Sequence, residues 1–132
     1  ESVTGGLVGA RITGIAGASD VFRGGIVSYA SEVKFDLLGV PEGPVVSEAA
    51  AAAMAVGAQR ALGASVGLAL TGVAGPGEQD GMPVGTLCVG LAIGDAVHTA
   101  TLRMPGQREQ MRQMSVITAL DFLRRTLSAS GA

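Results

Sequence analysis

The hydrophobic pattern of the chain changes period several times, and each change marks an element. Residues 4–13 set Leu7, Val8, Ala10 and Ile12 among glycines, which reads as a short helix, and residues 14–20 form a loop by composition. Gly25–Tyr29 is short and β-branched and reads as a strand. Ser31 stands where an N-cap belongs, before a helix carrying Val33, Lys34, Leu37 and Leu38 and stopped by Gly39 and Pro41. After a Pro/Gly linker over 41–46, Ser47 and Glu48 open an Ala-rich helix over 47–62. Val66–Leu70 is continuously apolar, as a buried strand requires, and runs into Thr71-Gly-Val-Ala-Gly-Pro-Gly77, a Gly-rich turn. Residues 77–83 read as a mobile loop and Val84–Ile93 as a central strand. Gly94-Asp95 is a hairpin signal, with Ala96–Arg103 as the alternating antiparallel partner. Pro105-Gly106 breaks the chain before a last helix over 107–127, striped by Val116, Leu120, Leu123 and Leu127.

Strands alternating with helices, plus one hairpin, predict an α/β fold: a three-layer α/β/α sandwich around a mixed, mostly parallel central sheet. The length fits one domain, residues 1–132. A Gly-rich turn of the kind at residues 1–9 normally follows a buried strand, and Glu1 stands directly at the turn. A strand is therefore expected upstream of it in the native protein.

Composition sharpens this picture. With 21 glycines and only 3% aromatic residues, the core must rely on small side chains and close backbone approach. The net charge of −2 offers no basic footprint for nucleic acid. No apolar run reaches membrane-spanning length and no signal peptide is visible, so no membrane partner and a cytoplasmic location are expected. Cys88, the single cysteine, sits in an apolar run and reads as a buried inert thiol. No Cys/His cluster suggests a metal.

The candidate chemistry gathers at the carboxyl ends of the predicted strands, the edge where α/β sheets bind ligands. Ser2 and Thr4 offer hydroxyls beside Gly5 and Gly6, whose amides open the first helix and face a site for a phosphate or an oxyanion. The alternative at this point is that Ser2 or Thr4 is only an N-cap. Tyr29, Lys34 and Thr71 fall at the same edge, and Arg108 lies at the start of the last helix. A serine nucleophile needs a base. The only histidine, His98, lies on the hairpin far from this edge and reads as a structural histidine, so the inventory does not favour a Ser-His-Asp triad. Lys34 serves as a base if burial lowers its pKa, with Tyr29 as a bridge; otherwise it is a solvated helix position. Arg108 and Arg112 are spaced i,i+4, which by itself describes surface charge.

Several stretches resemble one family, in order and over essentially the whole chain. Glu1-Ser-Val-Thr-Gly-Gly6 is similar to the Glu-Ser-Cys-Thr-Gly-Gly opening of the CinA carboxyl-terminal domain family. Gly24-Gly-Ile-Val-Ser-Tyr-Ala-Ser-Glu-Val-Lys34 resembles its Gly-Gly-x-Val-x-Tyr-Ser-Asn-Glu-x-Lys segment. Leu37-Leu-Gly-Val-Pro41, Val46-Ser-Glu48, Thr71–Gly77, Pro83-Val-Gly-Thr86 and Pro105-Gly-Gln-Arg108 follow as in the family. The resemblance implies a compact α/β/α domain, a homodimer, and nicotinamide-nucleotide amidase activity that yields nicotinate mononucleotide and ammonia. It implies Ser2 as nucleophile, activated by Tyr29 and Lys34. Thr4, Gly5 and Gly6 would stabilise the oxyanion, and Thr71, Gly72 and Arg108 would hold the substrate. The implied partner is a small-molecule pyridine nucleotide, with no cofactor or metal. The rival reading is a non-catalytic nucleotide- or partner-binding domain of a competence/damage-inducible protein. Val3 stands where the family has cysteine, so any nucleophilic chemistry here runs through Ser2. Ala30-Ser31 replaces Ser-Asn, and the 41–46 segment is shorter than the common pattern.

Overall fold

The structure, a computed structural model, describes residues 1–131; Ala132, the last residue of the expected domain, lies outside the described residues. Helix α1 (Leu7–Thr13) is followed by a single 3-10 turn at Ala18–Asp20, helix α2 (Ser31–Leu38) and helix α3 (Glu48–Leu62). Strands β1 (Val66–Gly72), β2 (Thr86–Ile93) and β3 (Ala96–Arg103) follow, and helix α4 (Arg108–Ala129) ends the chain.

The sheet corrects the expected architecture. Its order is β1-β2-β3, and both pairings are antiparallel, with Leu70 opposite Val89 and Leu91 opposite His98. A mostly parallel sheet needs crossover connections that pass over a face, usually through a helix. Here residues 73–85 contain no helix and simply return the chain beside β1, and Gly94-Asp95 turns β2 into β3. The β-branched run at 25–29 is extended but is not a strand. It bonds to Glu1: the Glu1 nitrogen donates to the Ile26 carbonyl and the Ser28 amide to the Glu1 carbonyl, each at 2.8 Å.

Helices nevertheless cover both faces. Alternation along β1 and β2 sends Leu70, Leu87 and Val89 into one core with Val3, Val8, Met111, Val116 and Ala119 from the α1 and α4 side. Ala69 and Ala92 face the other way, against Ala50, Met54 and Ala55 of α3 and Leu38 and Val40 beyond it. The small residues set the spacing of that second layer. A Cβ added at Gly90 would run into the backbone of Ala51, and one added at Gly67 into the carbonyl of Ala55. The Gly/Ala richness is thus the means by which α3 lies close on the sheet. Ser47 caps α3 by accepting from the Ala50 amide at 3.0 Å, as its position predicts. Ser31 is instead the first helical residue of α2, and the cap position belongs to Ala30. Cys88 is fully buried, and burial pushes its thiol pKa up. No helix among the described residues is long and apolar enough to cross a membrane.

Candidate active site

Loops at one end of the sheet enclose a cleft of about 270 Å³. Ser2, Tyr29, Lys34, Thr71, Gly72 and Arg108 all line it, although up to 106 positions separate them in the chain. Val45, Val46, Glu78 and Gln79 complete its walls. Thr4, Gly5 and Gly6 do not line it; they form the turn behind Ser2.

Ser2 enters the cleft because its backbone continues the sheet edge. Its amide donates to the Leu70 carbonyl at 3.1 Å, and its carbonyl then accepts from Gly5 at 3.0 Å, closing a turn. Gly5 and Gly6 take φ of 59° and 107°, values that favour glycine. They serve the turn itself and not the approach of a ligand. Ser2 is nearly buried, yet its hydroxyl makes no hydrogen bond to another described residue and is not among the buried unsatisfied groups, so it opens on the cleft. The amides of Val3 and Thr4 are likewise unengaged among the described residues, whereas Gly5 and Gly6 have spent theirs.

The amino end of α1 is not an open anion site. The Glu1 carboxylate already fills it, accepting from the Gly6, Val8 and Gly9 amides at 3.1, 2.9 and 2.8 Å. The Thr4 hydroxyl donates to the same carboxylate at 2.6 Å. So neither Ser2 nor Thr4 caps the helix; Glu1 does. Burial by itself would raise the Glu1 pKa, but the hydrogen bonds from Thr4, Gly9 and Val8 outweigh it and hold the carboxyl below its ordinary value.

Lys34 is 2% exposed. Its ammonium nitrogen Nζ donates to the Ser28 carbonyl at 2.6 Å and to the Tyr29 carbonyl at 3.2 Å. No carboxylate pairs with it among the described residues, and burial lowers its pKa. Two acceptors satisfy the two N–H groups of a neutral amine and leave its lone pair free. The solvated-helix alternative for Lys34 therefore does not hold.

Tyr29 departs from its expected place. Its ring is 61% exposed, and its hydroxyl accepts from Arg108 Nη2 at 3.1 Å. It meets Lys34 through its backbone carbonyl and not through the phenol. Arg108 Nη1 also donates to the Gly75 carbonyl, so the guanidinium is held at the cleft mouth between two walls. The Thr71 hydroxyl faces the Val45 carbonyl at 2.7 Å and fastens β1 to the 41–46 segment. His98 lies exposed on β3, outside the cleft lining.

Three residues beyond those anticipated shape the site. Arg112 donates through Nε to the Val3 carbonyl at 3.2 Å and through Nη2 to the Thr4 carbonyl at 3.4 Å, so it braces the Ser2 turn instead of serving as surface charge. Asp80 sits at φ 54° in a tight turn over 79–82, and its carboxylate accepts from Val45 and Val46 at 2.8 and 3.1 Å. The 77–83 segment is therefore clasped across the cleft and is not a free loop. Glu1 is the third. An acidic residue just ahead of a Gly-rich helix start was the signal available for it.

The cleft thus brings together a serine hydroxyl and a buried lysine without a carboxylate partner among the described residues, with an arginine at its mouth, in an α/β domain. The sequence profile of the CinA C-terminal domain matches residues 1–127, and the chain belongs to that family. It is 53% identical to a CinA-like protein of Frankia casuarinae, over 97% of this chain and 31% of that one. A CinA-like protein of Geobacter sulfurreducens is 46% identical over 96% of this chain and 32% of its own length. The chain thus spans about a third of the length of these curated relatives. Among solved structures, a CinA superfamily protein of Escherichia coli superposes with a TM-score of 0.91 at 31% identity, covering 96% of this chain and 77% of that one. The competence damage-inducible protein A of Klebsiella pneumoniae gives 0.92 at 29% identity, covering 96% and 83%.

Proposed function

We propose that this domain is a serine amidohydrolase acting on nicotinamide mononucleotide. The observation that carries the reading is that one cleft is lined both by the Ser2 hydroxyl and by a buried Lys34 amine, held by two carbonyls, that burial drives toward its neutral form.

In this reading Lys34 takes the Ser2 proton as the oxygen attacks the carboxamide carbon. The negative charge that develops on the carboxamide oxygen is met by the unengaged amides of Val3 and Thr4, worth about 3 kcal/mol for each donor. The C–N bond then breaks. Lys34 returns the proton to the departing nitrogen, which leaves as ammonia, and Ser2 holds the acyl group as an ester. Water, losing a proton to Lys34, cleaves that ester to the carboxylate and restores the serine. Arg108 holds the phosphate at the mouth, with Tyr29 fixing the guanidinium. Thr71 and Gly72 shape the floor. The test is ammonia release from nicotinamide mononucleotide by the wild-type chain and by Ser2→Ala. Turnover in the first and none in the second is expected; equal rates end the proposal.

A further inference from the structure

Glu1 has no part in the reaction as set out above, yet it bonds both the turn that follows Ser2 and the segment ahead of Lys34. We propose that Glu1 is a positioning residue for the Ser2 hydroxyl: its carboxylate, bonded to Thr4, Gly6, Val8 and Gly9, locks the turn on which Ser2 stands, and its backbone carbonyl ties that turn to the cradle of Lys34. The proposal rests on the reading of Ser2 as nucleophile.

The geometry works from both ends. On the side-chain end, Oε1 receives Thr4 Oγ1, Gly6 N and Val8 N, and Oε2 receives Gly9 N. These donors lie on the far side of Ser2 in sequence, so the carboxylate closes a loop around it. On the backbone end, the Glu1 carbonyl accepts from the Ser28 amide at 2.8 Å, and the Ser28 carbonyl accepts from Lys34 Nζ at 2.6 Å. One residue therefore fixes the turn that carries the hydroxyl and the segment that carries the lysine's acceptor. A helix as short as α1 does not hold itself together by its own hydrogen bonds. Without the carboxylate its first turn loses its cap, and the Gly5-Gly6 hinge is free to move Ser2. The hydrogen bonds that hold the Glu1 carboxyl below its ordinary pKa favour its charged form, which also suits the positive end of the α1 dipole.

Glu1→Gln and Glu1→Ala separate this role from a purely structural one. Glutamine keeps Oε1 for three donors but sets an NH₂ group against the Gly9 amide. The glutamine variant is expected to lose about tenfold in kcat and the alanine variant about 10²-fold, with KM within about threefold, as misplacement of a nucleophile predicts. Labelling of Ser2 by a fluorophosphonate is expected to slow in proportion, with Ser2→Ala as the blank. Met54→Ala, which weakens the core under α3, serves as the stability control and is expected to keep its turnover per folded molecule. Wild-type kcat and labelling in both Glu1 variants would overturn the proposal, as would equal losses in Met54→Ala. A wild-type chain that labels but releases no ammonia would sink the amidase reading alone, and the labelling rates of the Glu1 variants would still decide this one. A wild-type chain that does neither overturns both.

Discussion

The Tyr29 hydroxyl accepts a hydrogen bond from Arg108 Nη2 at 3.1 Å, linking the extended 22–29 segment to the first residue of α4 across the mouth of the cleft. Arg108 is exposed, and among the described residues its acceptors are neutral, the Tyr29 hydroxyl and the Gly75 carbonyl. Its charge is thus left for a ligand. A charge-assisted hydrogen bond contributes about 1.5–3 kcal/mol, or roughly 10–100-fold in affinity. Arg108→Ala is expected to raise KM for nicotinamide mononucleotide by that factor and to leave the unphosphorylated nucleoside unchanged. Steady-state kinetics on the two substrates check it. Tyr29→Phe should produce a smaller effect in the same direction, because the guanidinium keeps Gly75.

Lys34 makes both activity and stability depend on pH. Its folded pKa lies below the ordinary lysine value of 10.5. Between those two values the unfolded chain binds a proton that the folded chain does not, so stability rises with pH across that window. Below the folded value both forms are protonated and the cost of the buried charge is fully present. Activity should rise as pH passes up through the folded value, where the amine of the native chain becomes a base. Lys34→Met keeps the volume and is expected to lose about 10²–10⁴-fold in kcat. It should also flatten the slope of stability against pH on the alkaline side. Denaturant unfolding at a series of pH values reads the second effect.

Asp80 holds the 77–83 segment to the 41–46 segment through two backbone amides. Asp80→Ala should expose both amides, and hydrogen exchange at Val45 and Val46 should quicken by about tenfold or more, the loss of about 1.5 kcal/mol of local hydrogen bonding. Asp80→Asn retains an oxygen that can accept from both and should stay near wild type. Unchanged exchange in the alanine variant would mean that the clasp contributes nothing.

Gly90 faces the backbone of Ala51 with no room for a Cβ. Gly90→Ala should destabilise the domain by about 1–3 kcal/mol through overpacking, whereas Gly94→Ala, in open space at φ 56°, should cost about 1 kcal/mol from backbone strain alone. Thermal unfolding of the pair separates the two causes.

These sites also show what could be seen in the residues and what could not. Every helix and the β2–β3 hairpin were legible, because Ser47, Gly39, Gly94-Asp95 and Pro105-Gly106 are local signals with local effects. The direction of the sheet was not. Gly25–Tyr29 has strand composition, but whether a segment pairs as a strand is settled by its neighbours in space, which no local pattern names. Within the site, the gathering of Ser2, Lys34, Thr71 and Arg108 followed from their places at the ends of elements. The partners of individual groups did not follow. Tyr29 turns outward to Arg108, and the α1 amides are answered by Glu1, because hydrogen-bond choice is settled by distances that no spacing rule contains.

The central claim is a covalent one, and trapping the intermediate tests it most directly. Wild-type chain mixed with nicotinamide mononucleotide, quenched in acid within the first turnover and digested, should yield the peptide bearing Ser2 with the nicotinoyl nucleotide attached as an ester. The account predicts the adduct at Ser2 in the wild type and none in Ser2→Ala. Ammonia released at the wild-type rate with Ser2 unmodified, or an adduct on another residue, would contradict it.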